Sequence, residues 1–223
     1  MSDSGEIEFH WLGHDGFRIL GKDTSNNSKT IYVDPYRLSK KQQNKNDADL
    51  VLISHNHYDH LSVDDLKHVV SKQTSIVAAK ECIDQLKQMD VREVKGVRPG
   101  DKIVIQNIPV EIVPAYNTNK KFHPKSDGKV GFISTITNQR LYHTGDTDII
   151  QEMRSISPDI AFVPVSGTYV MTAEEAAQAV NEYIRPKRVV IPMHYGSIVG
   201  TDKDAERFAQ LVKVCETKIL KPE

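Results

Sequence analysis

Apolar residues along the chain gather into short runs more than into long helical stripes. IEFHWL, IYVDP, LVLIS, SIVAA, KIVIQ, VEIVPA, GFISTI, IAFVPV and RVVIPM each read as a strand. Many are continuous instead of alternating, the pattern of strands covered on both faces. Helix-start chemistry lies between them. Ser62-Val63-Asp64-Asp65 resembles a capping box for a helix through Val70, and Thr172-Ala173-Glu174-Glu175 is a better one for a helix to Ile184. Lys203–Val214 sets Phe208, Leu211 and Val212 on one face, which predicts a third helix. Lys22–Lys29 reads as a hairpin loop and Ser39–Asp47 as a solvated loop. This β-rich, β-α-alternating order predicts a sandwich of mixed sheets with helices outside. One domain over residues 1–223 is expected, with Met1–Gly5 as an unstructured tip and no strong internal repeat.

Composition narrows the classes. Thirty acidic residues nearly cancel 29 basic ones, so no global field points to nucleic acid or a membrane as partner. Cys82 and Cys215 are far apart and form no CxxC pair, which favours a reducing cytoplasmic setting over a disulfide scaffold. MSDSGEIEFHW lacks a basic segment followed by an apolar one, so no signal peptide is expected. No apolar run approaches the roughly 18 residues of a membrane helix.

Nine histidines are the compositional oddity. The chain passes from the strand LVLIS into His55-Asn56-His57-Tyr58-Asp59-His60 and then into the helix capped at Ser62. Residues two apart in an extended segment point the same way, so His55 and His57 can reach one ion together. As the chain turns toward the helix, Asp59 and His60 swing aside and can hold a second. Imidazole with carboxylate suits zinc, iron or manganese and needs no thiolate. The strand RLYH ends in Thr144-Gly145-Asp146, and RVVIPM ends in His194-Tyr195-Gly196. A GDT turn or a single strand-end histidine says little alone. Three strand ends offering metal-type ligands are far more specific.

His-x-His-x-Asp-His after a strand, a later Gly-Asp-Thr turn and a late strand-end histidine resemble the metallo-β-lactamase superfamily. Trp11-Leu12-Gly13-His14-Asp15-Gly16-Phe17, followed by Val33-Asp34-Pro35, is similar to its branch of lactonases, phospholipase D-like enzymes and other metal-dependent hydrolases. The resemblance implies an αββα fold, two sheets face to face with helices on both outer faces. It implies two divalent metal ions, zinc foremost with manganese or iron as alternatives. His55 and His57 would bind the first, Asp59, His60 and His194 the second, and Asp146 would bridge. Asp59 would also hold the nucleophile in line, Asp34 would brace the histidine loop, and His14 would sit near the site mouth. The chain departs from the pattern at Tyr116-Asn117, where most members have a further histidine. His123, Asn117 or neither could complete the first metal. His123 is expected to face the site, as ligand or as acid, and His14 and Tyr195 are the other candidates for protonating a leaving group.

Lys120, Lys121 and Lys125 crowd the loop that follows, where they could receive a phosphate or carboxylate. The expected activity is therefore hydrolysis of a small anionic substrate, a lactone or a phosphodiester. The alternatives are a phospholipid or nucleic-acid phosphodiesterase and a non-catalytic metal-binding regulatory module. Oligomerisation stays open.

Overall fold

Hydrogen bonding sorts the strands of the chain into two sheets, in a computed structural model that describes residues 6–223. The expected tip Met1–Gly5 lies outside the described residues. The first sheet holds β1 (Glu8–Gly13), β2 (Gly16–Lys22), β3 (Ser28–Val33), β4 (Leu50–Ile53), β5 (Ser75–Ala79) and β6 (Glu93–Val97), in that spatial order. The second holds β7 (Lys102–Ile105), β8 (Ile108–Pro114), β9 (Val130–Ile136), β10 (Gln139–His143), β11 (Ile160–Pro164), β12 (Val189–Met193) and β13 (Glu216–Thr217), again in chain order. Each sheet begins as an antiparallel meander and continues as parallel strands, from β3 onward in one and from β10 onward in the other.

The helices follow their caps. Ser62 Oγ accepts from the Asp65 N–H at 3.3 Å and opens α1 (Val63–Val69). After β5 comes a single turn, α2 (Ile83–Leu86). Thr172 and Glu175 close a reciprocal capping box at 3.1 and 2.9 Å before α3 (Ala173–Gln178). The chain continues through Ala179–Ile184 in wider π-type turns and ends with Arg185 left-handed at φ 47°. The third predicted helix, α4, spans Asp202–Leu211 and packs on α3.

Phe162 on β11 joins the two sheets, with Phe17 of β2 at 4.5 Å and Phe9 of β1 at 5.6 Å between ring centroids. Burying each such ring contributes roughly 1.5–3 kcal/mol, and aromatic contacts add to that. The result is the αββα sandwich expected from the sequence. No helix among the described residues is long and apolar enough to cross a membrane.

Strands β1, β3, β4, β8, β10 and β12 all pass at their carboxyl ends into the residues of one cluster. The backbone there is forced: His14, Asp34 and His194 have positive φ of 51°, 41° and 60°. Such conformations cost an L-residue on the order of 1–3 kcal/mol each and persist where surrounding contacts over-determine them.

Candidate metal centre

All four residues of β4 are buried, and the strand delivers Ser54 against Asp34 at the end of β3. The Ser54 N–H donates to Asp34 Oδ1 at 2.8 Å, and the Ser54 hydroxyl donates to Asp34 Oδ2. With its proton so committed, Ser54 Oγ can only accept from His55 Nδ1, 2.9 Å away. The His60 N–H and Leu61 N–H both donate to the His57 carbonyl, at 3.0 and 2.8 Å, and this turn carries His60 around to Asp34. His60 Nδ1 meets Asp34 Oδ2 at 2.9 Å. The one carboxylate of Asp34 thus sets the orientation of both His55 and His60.

The other sheet repeats the arrangement. His194 Nδ1 lies 2.9 Å from Ser166 Oγ, and the His194 N–H donates to the His14 carbonyl at 3.0 Å. Asn117 Nδ2 donates to the Tyr169 carbonyl at 3.0 Å, and Asn117 Oδ1 accepts from the His123 N–H at 3.0 Å. His123 Nδ1 is 3.2 Å from that same oxygen, so it too donates outward. Four imidazoles are therefore gripped by Nδ1, and for His55, His60 and His123 the partner requires a proton there. Their Nε2 atoms are turned inward, and those of His55, His60 and His123 are buried without a hydrogen-bond partner.

Asp146 sits where they converge. Its Oδ2 is 3.2 Å from His194 Nε2, 3.3 Å from His123 Nε2, 3.5 Å from His60 Nε2 and 4.0 Å from His55 Nε2. Its Oδ1 is buried and unpartnered. Two sets of donors flank it, His55, His57 and His123 on one side and His14, Asp59, His60 and His194 on the other. Buried donors with inward lone pairs, fixed from behind, are what an imidazole–carboxylate metal site requires, so these residues fit divalent ions.

Electrostatics follow from this crowding. Burial holds the His55, His57 and His123 imidazoles below the usual histidine range. Burial also acts on His60, but the carboxylates of Asp146 and Asp34 outweigh it and hold His60 well above that range. Asp146, though buried, is kept ionised well below the usual carboxylate range by His194 and His60. His14 is lowered to about 4, mainly by burial, and is neutral at physiological pH.

The structure brings together every metal-type residue named from the sequence and corrects several details. His14 does not sit at an open mouth. It is buried, with Nε2 3.0 Å from Asp59 Oδ2 and its ring 4.0 Å from that of His194. Tyr195 is unsuited to protonating a leaving group, since it is buried with its ring 4.7 Å from that of Trp11 and burial pushes its hydroxyl up to about 12. Two of the three lysines of the Lys120–Lys125 loop are engaged within the chain. Lys120 is bound to Asp148 at 2.6 Å and to Glu175 at 3.4 Å, and Lys125 is bound to Glu152 at 2.9 Å. The Lys120 and Lys125 ammonium groups thus each have a carboxylate partner within the chain.

Asp15 was missed. It is fully buried with both oxygens unpartnered, groups with His60, Asp146 and His194, and is raised well above the carboxylate range by burial and by Asp146. The signal was an acidic residue inside the otherwise uncharged WLGHDGF. His143 was also missed as a support. Its Nε2 meets the Asp15 carbonyl at 3.0 Å, and its Nδ1 accepts from the Gly145 N–H at 3.3 Å. A cavity of about 460 Å³ opens above the cluster, floored by His57, Asp59, His123, Asp146 and His194.

With this geometry established, relatives can be set beside it. The sequence profile of the β-lactamase superfamily domain matches residues 8–194. The chain belongs to that superfamily. An Archaeoglobus fulgidus protein named UPF0173 metal-dependent hydrolase is 32% identical, with 97% of this chain and 96% of the relative covered. A Staphylococcus aureus protein of the same name is 27% identical over 88% of this chain and 91% of its own length. Among solved structures, one from Parabacteroides distasonis superimposes with a TM-score of 0.77 at 28% identity, covering 97% and 94% of the two chains. Igni18 from Ignicoccus hospitalis gives a TM-score of 0.74 at 24% identity over 97% and 95%, a likeness of fold. The superfamily member is thus a metal-dependent hydrolase in class.

Proposed function

We infer that the chain hydrolyses a small ester-type substrate at a centre of two divalent ions, zinc foremost, with manganese or iron as alternatives. The observation that carries this reading is the set of outward-gripped imidazoles whose Nε2 atoms converge around Asp146. His55, His57 and His123 would hold one ion, and Asp59, His60 and His194 the other, with Asp146 between them. Bound divalent ions supply electrophilic activation and bring the pKa of water near neutrality.

The chain's own residues do the rest. Asp59 lines the cavity, where burial disfavours the ionised form but the His14 hydrogen bond and nearby His60 together hold its carboxylate below the usual range. An ionised Asp59 can accept the proton of an attacking water, and neutral His14, bonded to Oδ2, leaves one Asp59 oxygen to do so. Asp34, Ser54, Ser166 and Asn117 fix the imidazoles and so limit reorganisation during turnover. The internal pairing of Lys120 and Lys125 supports a lactone over a phosphodiester.

The experiment measures metal content and turnover on one panel of lactones and phosphodiesters, for wild type and for His123→Ala and Asp146→Ala. About two ions per chain in wild type, fewer in both variants and lactone hydrolysis abolished by chelation are expected. Full metal content in both variants would overturn the assignment, and bound metal without turnover would favour a regulatory module.

A further inference from the structure

Two large apolar side chains stand open to solvent beside the cluster, Tyr58 at 66% exposure and Phe122 at 48%. Both line the cavity above it. Tyr58 lies between His57 and Asp59, and Phe122 immediately precedes His123, so these rings are carried on the same backbone segments as the cluster. Phe122 meets Tyr169 edge-on, with centroids 4.6 Å apart and planes at 88°. Asn117 ties the two segments together by bonding the His123 N–H and the Tyr169 carbonyl. Tyr58 rests edge-on against Tyr36, with centroids 5.9 Å apart, and Ile198 lines the same cavity. No lysine or arginine is among the lining residues. Aromatic surface held rigid in water beside reactive groups is surface offered to a ligand.

We propose that the substrate carries an uncharged apolar arm, alkyl or aromatic, beside its scissile ester bond, and that this arm lies between Tyr58 and the Phe122–Tyr169 pair. This rests on the hydrolytic reading above and names its substrate class. For a γ-lactone, the water oxygen bonds to the carbonyl carbon and the ring C–O bond breaks with its electron pair on the alkoxide. That oxygen keeps one proton of the water, and the new carboxylic acid releases the other to solvent. The hydroxy acid leaves as its carboxylate with the arm unchanged.

The test uses the whole zinc-loaded chain and two probe series. Linear carboxylates from acetate to octanoate are read by calorimetric binding, and γ-lactones from γ-butyrolactone to γ-decalactone by hydrolysis. Carboxylate affinity is expected to rise about fourfold per methylene, and lactone kcat/KM to rise in parallel. Phe122→Ala and Tyr169→Ala should flatten both slopes at unchanged zinc content, while Phe122→Leu preserves them. Affinity independent of chain length, or slopes unchanged in the alanine variants, would overturn the proposal. Length-dependent carboxylate binding with no lactone hydrolysed would uphold the apolar arm and overturn the hydrolytic reading instead.

Discussion

Asn117 holds His123 with one end of its amide and Tyr169 with the other, through bonds of 3.0 Å each. The residue that departs from the family's histidine pattern is therefore the support of His123. Asn117→Ala removes the acceptor facing His123 Nδ1 and frees the ring to rotate. Loss of such a support commonly lowers metal affinity by about 10- to 100-fold. Competition against a graded chelator should show that loss with the fold intact by circular dichroism. Wild-type affinity in the variant would show that Asn117 matters only to the loop.

Acidity should govern metal uptake through His60. Its imidazole is held protonated by Asp146 and Asp34 despite burial, so a cation taking Nε2 must displace a proton. Affinity accordingly falls as pH falls. Calorimetric zinc binding at neutral pH, in buffers of different ionisation enthalpy, should give a net release of about one proton or more. Zero release would contradict the charge balance drawn for His60.

His143 couples stability to pH in a defined direction. Burial holds its folded pKa below the ordinary 6.5, and Nδ1 already accepts from the Gly145 N–H. Below 6.5 the unfolded chain takes a proton that the folded chain refuses, so the contribution is present above that value and is lost as pH falls beneath it. The Tm of metal-free protein should drop between pH 7.5 and 5.5, and His143→Gln should reduce the drop. An equal drop in the variant would assign the effect to other histidines.

Gly145 is held at φ 63°, and a Cβ there would lie 2.7 Å from the Val130 carbonyl oxygen. Gly145→Ala combines left-handed strain with a clash against backbone, a loss of ~2 kcal/mol or more. For a chain of this size that lowers Tm by roughly 4–8 °C. Because Asp146 follows directly, metal content should fall as well. A variant with unchanged Tm would mean that the turn relaxes without cost.

Legibility in the sequence depended on whether a residue's role was local. The continuous apolar runs LVLIS, SIVAA and IAFVPV became β4, β5 and β11, because a strand buried on both faces must be apolar throughout. The hairpin loop after Lys22 marks β2 although Arg18 and two glycines interrupt its apolar pattern, whereas β6 (EVKGV) carries no such signal, since only Val97 is buried on that sheet edge. Histidines at strand ends announced the site. What Asn117, Asp15 and His143 contribute arises from contacts between segments far apart in sequence, and no local spacing encodes those. The pairing of Lys120 and Lys125 is hidden for a related reason, as the carboxylates of Asp148, Glu152 and Glu175 that hold them come from other segments.

The first sheet's loop supplies His55, His57, Asp59 and His60 within six consecutive residues, whereas the second sheet supplies His123 from the loop between β8 and β9, and Asp146 and His194 from beyond the ends of β10 and β12. A nascent chain can therefore offer the local half of the donor set long before the distant half exists. Zinc captured by that half would steady the unfolded chain as well as the folded one, so added metal raises the melting temperature by less than the native affinity alone implies. It would also hold the loop in non-native ligation until β12 closes on β11, which makes refolding slower when the ion is present from the start than when it is supplied afterwards.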